Sequence, residues 1–495
     1  MTLLHHSYST NGVRPSLPSS TLTASHFKLY AKKVKECDRS MKVKATACAA
    51  ILTFAAFAFE ARVPARIVTP GEGRTMHHFF DKSPISPSGR IVALLRIPYE
   101  DRRAQPGDAA EVVLVDLETR KERTVAKTCA WEHQIGACVM WGRDDSELYF
   151  NDMRPGEWKP FLVRLDPATG ARRTYPGGAF CISPDGRQAA GYNLLTVRRM
   201  NFYGYGAAVP ESVMPTNGPE PEDDGLFVID LETGERRLLK SIAAFCRETM
   251  AAEARRELDG AGSYGFQVKW SPDGEWLLFV VVQALNDAQP GTGKSRWRRM
   301  VFSCRRDGSE PHLALPWREW ARGGHHLNFH PDSRRVTMNL MGDDRRLRIK
   351  AFDVFGNPPK LFCGDRPGSG HPSVSPDGHY LVTDAYLGER VAYPDGTVPI
   401  RLIDLQTLEE TEIARVCTVT DEAHRNGELR CDPHPAWSRD GKTIALNAMI
   451  GGTRRVVLLD VSAFIFSGQT EPRPCPKKGN GMKGLSPQGA ACEGC

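Results

Sequence analysis

A chain of 495 residues, 41% hydrophobic and 25% charged, has the composition of a globular protein, and its 45 glycines and 35 prolines imply many turns. The formal charge of +6 resides at the front: the first 58 residues carry eight Lys or Arg against two Asp or Glu, and the remainder sums to zero. A neutral body excludes nucleic-acid binding driven by overall charge.

Residues 1–40 include the Ser/Thr-rich run SYSTNGVRPSLPSSTLTAS, which follows neither a helical nor a strand period. From Met41, MKVKATACAAILTFAAFAFEA has the parts of an export signal over 41–61. Lys42 and Lys44 form a positive start, 45–59 is almost wholly apolar, and Ala56-Phe57-Ala58 is an A-x-A cleavage site. The run is short for a membrane span of ~20 residues; the competing reading is a buried or anchoring helix. Export signals open a chain, so Met41 is expected to be the true start and 1–40 a non-native or disordered leader. The mature chain would be periplasmic or secreted, monomeric and free of the membrane. Export permits disulfides, yet the eleven cysteines left after removal of Cys37 and Cys48 are odd in number and their spacings outline no framework.

Further on, a turn phrase occurs seven times: SPSG (86–89), GRDD (142–145), SPDG (183–186), SPDG (271–274), HPDS (330–333), SPDG (375–378) and SRDG (438–441). Apolar or alternating runs flank each, as hairpins require. A second phrase alternates with the first: LVDLET (114–119), RLDPATG (164–170), VIDLETG (228–234), CRRDGS (304–309), AFDVFGN (351–357), LIDLQT (402–407) and LLDVS (458–462). Two hairpins per unit make four strands. Such a sheet cannot bury both faces alone, but a ring of them can. The pattern predicts an all-β, seven-bladed β-propeller of four-stranded blades over 62–465; a β-sandwich would not need the strict alternation. The longest unit, 183 to 271, carries an insertion in the third blade, with a loop portion over 193–225 and a surface helix over 241–258. GTGKS at 291–295 is similar to a phosphate loop but lacks the upstream glycine and a βαβ setting, and reads as a surface loop. The tail, 466–495, is rich in Gly, Pro, Lys and Cys and reads as disordered, with CEGC at 492–495 as a pair that could take a metal.

The innermost strand of a propeller blade lines the central channel, and the first phrase closes it at one end. The residue four positions earlier then lies at the other end, the channel mouth. In chain order that position holds Lys82, Cys138, Ala179, Gln267, His326, His371 and His434. Three histidines in seven places exceeds what 14 in 495 would supply by chance. Imidazoles from neighbouring strands can converge on one cation and leave positions open to water or substrate. Gln267 or Asp432 could add an oxygen and Cys431 a thiolate; the set admits Mn or Zn, and Cys431 favours Zn. His325 is expected to face away from His326. The competing reading makes these histidines structural anchors of their strands.

GHPSVSPDG (370–378) and CDPHPAWSRDG (431–441) resemble the repeats of the oligogalacturonate lyase family, seven-bladed propellers whose repeats are related to those of the Tol-system propeller. The resemblance implies a divalent metal, usually Mn, held by histidines and a glutamine at the channel mouth. His371 and His434 match by motif, and His326 and Gln267 in type. Asp432 and Cys431 depart from a pattern richer in His and Gln. Ulvan lyases look similar too; they pair a His with a Tyr, set an Arg against the uronate carboxylate and carry a separate zinc. WEHQIGACVMW (131–141) and VRRMNFYGYG (197–206) are their counterparts here, which implies His133, Tyr203 and Tyr205 as acid or base and Arg198 and Arg199 as carboxylate ligands. Both resemblances imply β-elimination on an acidic oligo- or polysaccharide: a base removes the C5 proton of a uronic acid, and the 4-O-linked sugar leaves. The alternative function is a non-catalytic periplasmic propeller that binds a protein or glycan. A serine peptidase is disfavoured, since no G-x-S-x-G elbow occurs.

Overall fold

Each pair of turn phrases organises one antiparallel sheet. The computed structural model describes residues 59–69, 71–195, 204–258, 262–284, 297–419 and 429–467, all within one unit spanning Ala58–Cys495. Seven sheets follow one another as blades one (75–128), two (140–176), three (181–241), four (263–315), five (324–361), six (373–417) and seven (436–460). The fold is a seven-bladed β-propeller. Neighbours cover both faces of a blade, so its middle strands are apolar runs rather than alternating ones. Trp276–Ala284, WLLFVVVQA, is buried through Gln283.

The repeated phrase is a self-capped turn. The hydroxyls of Ser183, Ser271, Ser375 and Ser438 donate to the Asp two residues on and accept the backbone N–H five residues on, the latter at 2.9 Å in all four. The phrase's glycine turns the chain through the left-handed region, with φ of 66–78° at Gly186, Gly274, Gly378 and Gly441. In blade five Ser333 stands in that place at φ 65°, and its hydroxyl accepts the N–H of Asp273 from blade four at 2.9 Å. In the second phrase, the carboxylates of Asp116, Asp166, Asp230 and Asp404 accept the N–H groups two and three residues on. Indole N–H groups tie blades together: Trp141 donates to the Pro84 carbonyl (2.8 Å) and Trp437 to that of Ser373 (3.0 Å).

Closure of the ring is not written in the alternation. Blade seven has three strands of its own, and its outer strand is Ala65–Ile67, antiparallel to Thr453–Asp460. Phe59–Ala61 adds a fifth strand to the outer edge of blade six, with Phe59 opposite Val416. Those three residues end the span assigned to the export signal; a cut directly after Ala58 would leave them in the sheet. The single helix expected over 241–258 is two, Ile242–Thr249 and Ala252–Arg256. Ser241 caps the first by accepting the Ala244 N–H, and Met250, extended at φ −118°, separates them. Phe245 packs its ring on Phe302 at 5.0 Å.

Among the described residues no helix is long and apolar enough to cross a membrane. The eight described cysteines are all free thiols. Residues 1–58, GTGKS and the tail from 468 onward, with its CEGC, lie outside the described residues.

Candidate metal centre

Phe79 marks the propeller axis. Its ring lies 6.2 Å from Phe180, 6.3 Å from His326, 6.1 Å from His371 and 4.7 Å from His434, with Lys269 Nζ 5.1 Å from its centre. Those partners come from blades three to seven, and only an axial side chain can reach them all. Phe79 belongs to a segment that interrupts the inner strand of blade one between Thr75–Met76 and the Ile85–Val92 bridge. Phe79 and Phe80 are fully buried and form a wedge against the histidine cluster. Beside them Asp81 pairs with Lys269 (2.7 Å) and Lys82 (3.0 Å). Burial would raise the Asp81 carboxyl, but the two ammonium groups outweigh it and hold it below the usual carboxylate range.

The structure brings His326, His371 and His434 together: ring centres are 3.9 Å apart for the first pair and 4.3 Å for the second. His371 is the middle member. Its Nδ1 lies 2.9 and 3.0 Å from the two carboxylate oxygens of Asp384, and its backbone N–H donates to the same group at 2.6 Å. A carboxylate only accepts, so Nδ1 carries a proton, and in the neutral ring Nε2 presents the lone pair. Gly370 makes this approach possible: at φ 59° its backbone lies so close to Asp384 that an added Cβ would be 2.2 Å from Oδ1. His326, also left-handed at φ 59°, sits at a bulge, with Nδ1 3.1 Å from the Gly370 carbonyl.

His434 is 1% exposed, and neither of its ring nitrogens has a hydrogen-bond partner among the described residues; the same holds for His77, whose ring lies 6.4 Å away. The His434 Nε2 is 3.9 Å from an Asp432 oxygen. One ligand atom from each of His371, Asp432 and His434 lies within 4.8 Å of the others. Burial pushes the imidazoles of His326 and His434 well below their ordinary value, and the adjacent His371 adds to the effect. Neutral rings are the ligating form. An unpartnered buried imidazole is costly; here it faces a carboxylate and a second imidazole whose tautomer a carboxylate fixes. This donor set fits a divalent cation.

His325 corrects an expectation. Strand alternation places it on the side opposite His326, yet its Nδ1 is 2.8 Å from that of His326. The bulge between His325 and Asn328 and the left-handed turn at His326 cancel the alternation of a regular strand. Gln267 is buried on Ser263–Trp270, next to another register shift. Cys431 is buried and outside the His371–Asp432–His434 group, with its thiol pushed up to about 12 by burial. In blades two and three, His133 is buried with its ring 5.3 Å from Trp131. The Tyr205 hydroxyl accepts from Asn151 (2.8 Å) and donates to the Cys138 sulfur (3.4 Å), and burial raises it well above its ordinary value. Arg198, Arg199 and Tyr203 lie outside the described residues.

Sequence reasoning missed one loop. After the blade-six strand Tyr380–Thr383 come Asp384, Tyr386 and Glu389, and all three serve the cluster. The Tyr386 hydroxyl is 3.2 Å from His326 Nε2 and 3.3 Å from His371 Nε2. Glu389 lies 3.6 Å from His325 Nε2 and accepts from Ser369. Arg430 was missed too; its guanidinium clasps Asp432 at 2.8–3.0 Å and lies 5.4 Å from the centre of the Tyr386 ring.

No protein-family model matches the chain, and no curated protein matches it in sequence. Solved structures do. An oligogalacturonate lyase in complex with manganese aligns at 14% identity with a TM-score of 0.53, over 82% of this chain and 95% of the other. An oligogalacturonate lyase from Vibrio parahaemolyticus aligns at 14% identity with a TM-score of 0.54, over 81% and 96%. TolB from Acinetobacter baumannii is a more remote likeness, at 12% identity and a TM-score of 0.35, over 75% and 79%. In fold, then, this seven-bladed propeller is similar to the oligogalacturonate lyases across most of its length.

Proposed function

We propose that the chain is an exported lyase that cleaves uronic-acid-containing oligosaccharides, of oligogalacturonide or ulvan type, by β-elimination at the mouth of blades five to seven. The observation that carries this reading is the place of His434: a buried imidazole, unpartnered among the described residues, with its ligand atom within 4.8 Å of those of His371 and Asp432. His326, His371, His434 and Asp432 would hold the cation, and nitrogen with carboxylate donors suits Mn or Zn. Bound there, a divalent cation supplies Lewis-acid stabilisation of the enolate charge that builds on a uronate carboxylate. Asp384 orients His371. Arg430, which clasps Asp432 and has its side chain 28% exposed, adds positive charge beside the cluster for the substrate carboxylate. Phe79 and Phe80 close the axis against the cluster and exclude water there. The engaged hydroxyl of Tyr205 favours this site over a route through His133, Arg198, Arg199, Tyr203 and Tyr205.

The test is absorbance from the new C4–C5 double bond on pectate oligomers and on ulvan, with and without chelator. The expected result is a rise on one of them that chelation abolishes and added Mn(II) restores. A rise that survives chelation moves the chemistry to the His/Tyr route. A flat trace on both substrates leaves the propeller that binds a protein or glycan.

A further inference from the structure

We infer that Tyr386 supplies an oxygen ligand to the cation at the histidine cluster, beside the Nε2 atoms of His326 and His371. The inference rests on the cation site of the preceding reading and not on the lyase chemistry.

The argument is a count of protons. Asp384 accepts from His371 at Nδ1 with both oxygens, at 2.9 and 3.0 Å, and has no proton to offer in return. A proton of His371 is thereby on Nδ1, and in the neutral ring Nε2 is a lone pair. A backbone carbonyl acts in the same way on His326: the Gly370 oxygen, 3.1 Å from Nδ1, can only accept. His325 Nδ1, at 2.8 Å from the same atom, is then a second acceptor for that proton. Asn339 donates to the Gly370 carbonyl at 2.8 Å and holds it in place. The Nε2 lone pairs of both rings meet at one phenol, whose oxygen is 3.2 Å from one and 3.3 Å from the other. A phenol has a single hydrogen. It satisfies one Nε2, and the second contact is met only by a proton on that ring or by a cation among the three donors. A proton on His326 would put a buried positive charge beside a second imidazole, whereas one on His371 would pair with Asp384 at 2.9 Å, so a cation binds here in competition with that proton.

A cation meets both contacts, because three converging lone-pair donors are what it requires. Tyr386 is half-buried, so the phenol can meet an entering ion. Its loop also carries Asp384, so one short stretch of blade six both orients His371 and brings up the oxygen donor. Asp432 and His434 come from blade seven.

The experiment uses the full chain and the metals alone. Fe(III) is the optical probe: when it binds a phenol oxygen, the proton passes to buffer and a phenolate-to-iron charge-transfer band appears in the visible. Wild type is expected to show that band, with tyrosinate ring modes in resonance Raman spectra excited within it. Tyr386→Phe is expected to bind Fe(III) without the band and to melt as wild type does. Its Mn(II) affinity, by calorimetry, should fall by at least the roughly 10–100-fold seen when an outer-shell partner is lost. The inference is overturned if wild type binds neither metal, if it binds Fe(III) without a band or tyrosinate modes, or if the Phe variant keeps the band. The Raman measurement on wild type decides the matter should the variant fold poorly. A chain that shows the band yet leaves every uronate polymer intact refutes the lyase reading alone.

Discussion

Between His326 and His434, the ring of His371 touches both neighbours and donates a hydrogen bond from Nδ1 to Asp384. That pairing makes Asp384 a positioning residue whose worth can be measured. Asp384→Asn keeps the shape and an oxygen for the His371 N–H groups but removes the charge that fixes the tautomer. Mn(II) affinity should fall by roughly 10–100-fold while the melting curve stays cooperative; calorimetry checks this, and unchanged affinity would contradict it. The three histidines were legible because each opens an inner strand at one beat of a repeat. Asp384, Tyr386 and Glu389 were not, because the connection from Thr383 to Thr397 lies between the two turn phrases and neither phrase marks its residues. Their contacts also depend on backbone features that no residue spacing encodes: the left-handed turn at Gly370, the bulge at His326 and the consequent turn of His325 toward the cluster.

At the scale of elements, the phrase that announces each blade is a hydrogen-bond device. Ser375, 1% exposed, donates to Asp377 and accepts the Tyr380 N–H at 2.9 Å. Ser375→Ala deletes both bonds and leaves a backbone donor unpaired, at an expected cost of about 1–3 kcal/mol. The urea midpoint should drop accordingly, with Mn(II) binding unaltered because the turn lies at the far end of the strand from His371. An unchanged midpoint would show the phrase to be an echo rather than a support. Strand pairing within a blade could be read because the two phrases alternate and each leaves apolar runs of strand length between them. Ring closure could not: Ala65–Ile67 is three residues long, has no period of its own, and pairs with Thr453–Asp460 at the other end of the described chain. The break at Met250 was hidden as well, since Ala, Glu and Arg on both sides favour one continuous helix.

Across the whole molecule, the wedge from blade one couples the ring to protonation. Phe79 reaches side chains of blades three to seven, and His77 and His78 immediately precede it on the same segment. Burial pushes the His77 imidazole down to about 3 and that of His78 down to about 4. For His78, Asp81 pulls the other way, but Lys82 and Lys269 offset much of that pull. An unfolded chain protonates both rings near ~6.5. Below that pH the unfolded state binds more protons than the folded one, so stability that is complete above 6.5 is lost as pH falls toward the folded values. Each ring contributes about 1.4 kcal/mol per pH unit. Together they remove roughly 3 kcal/mol per unit between pH 6 and 4, a large share of the 5–15 kcal/mol typical of a domain. The urea midpoint of the metal-free protein, at constant ionic strength, is therefore expected to decline steadily from pH 7 to 5. His78→Gln keeps a donor for the Ile135 carbonyl, now 3.0 Å from Nδ1, but cannot ionise. In the metal-free protein the buried rings of His326 and His434 add to the same slope, so the variant should lose one ring's share, roughly a quarter of it. A flat wild-type profile, or equal slopes in the two proteins, would mean that these histidines do not report burial at the axis.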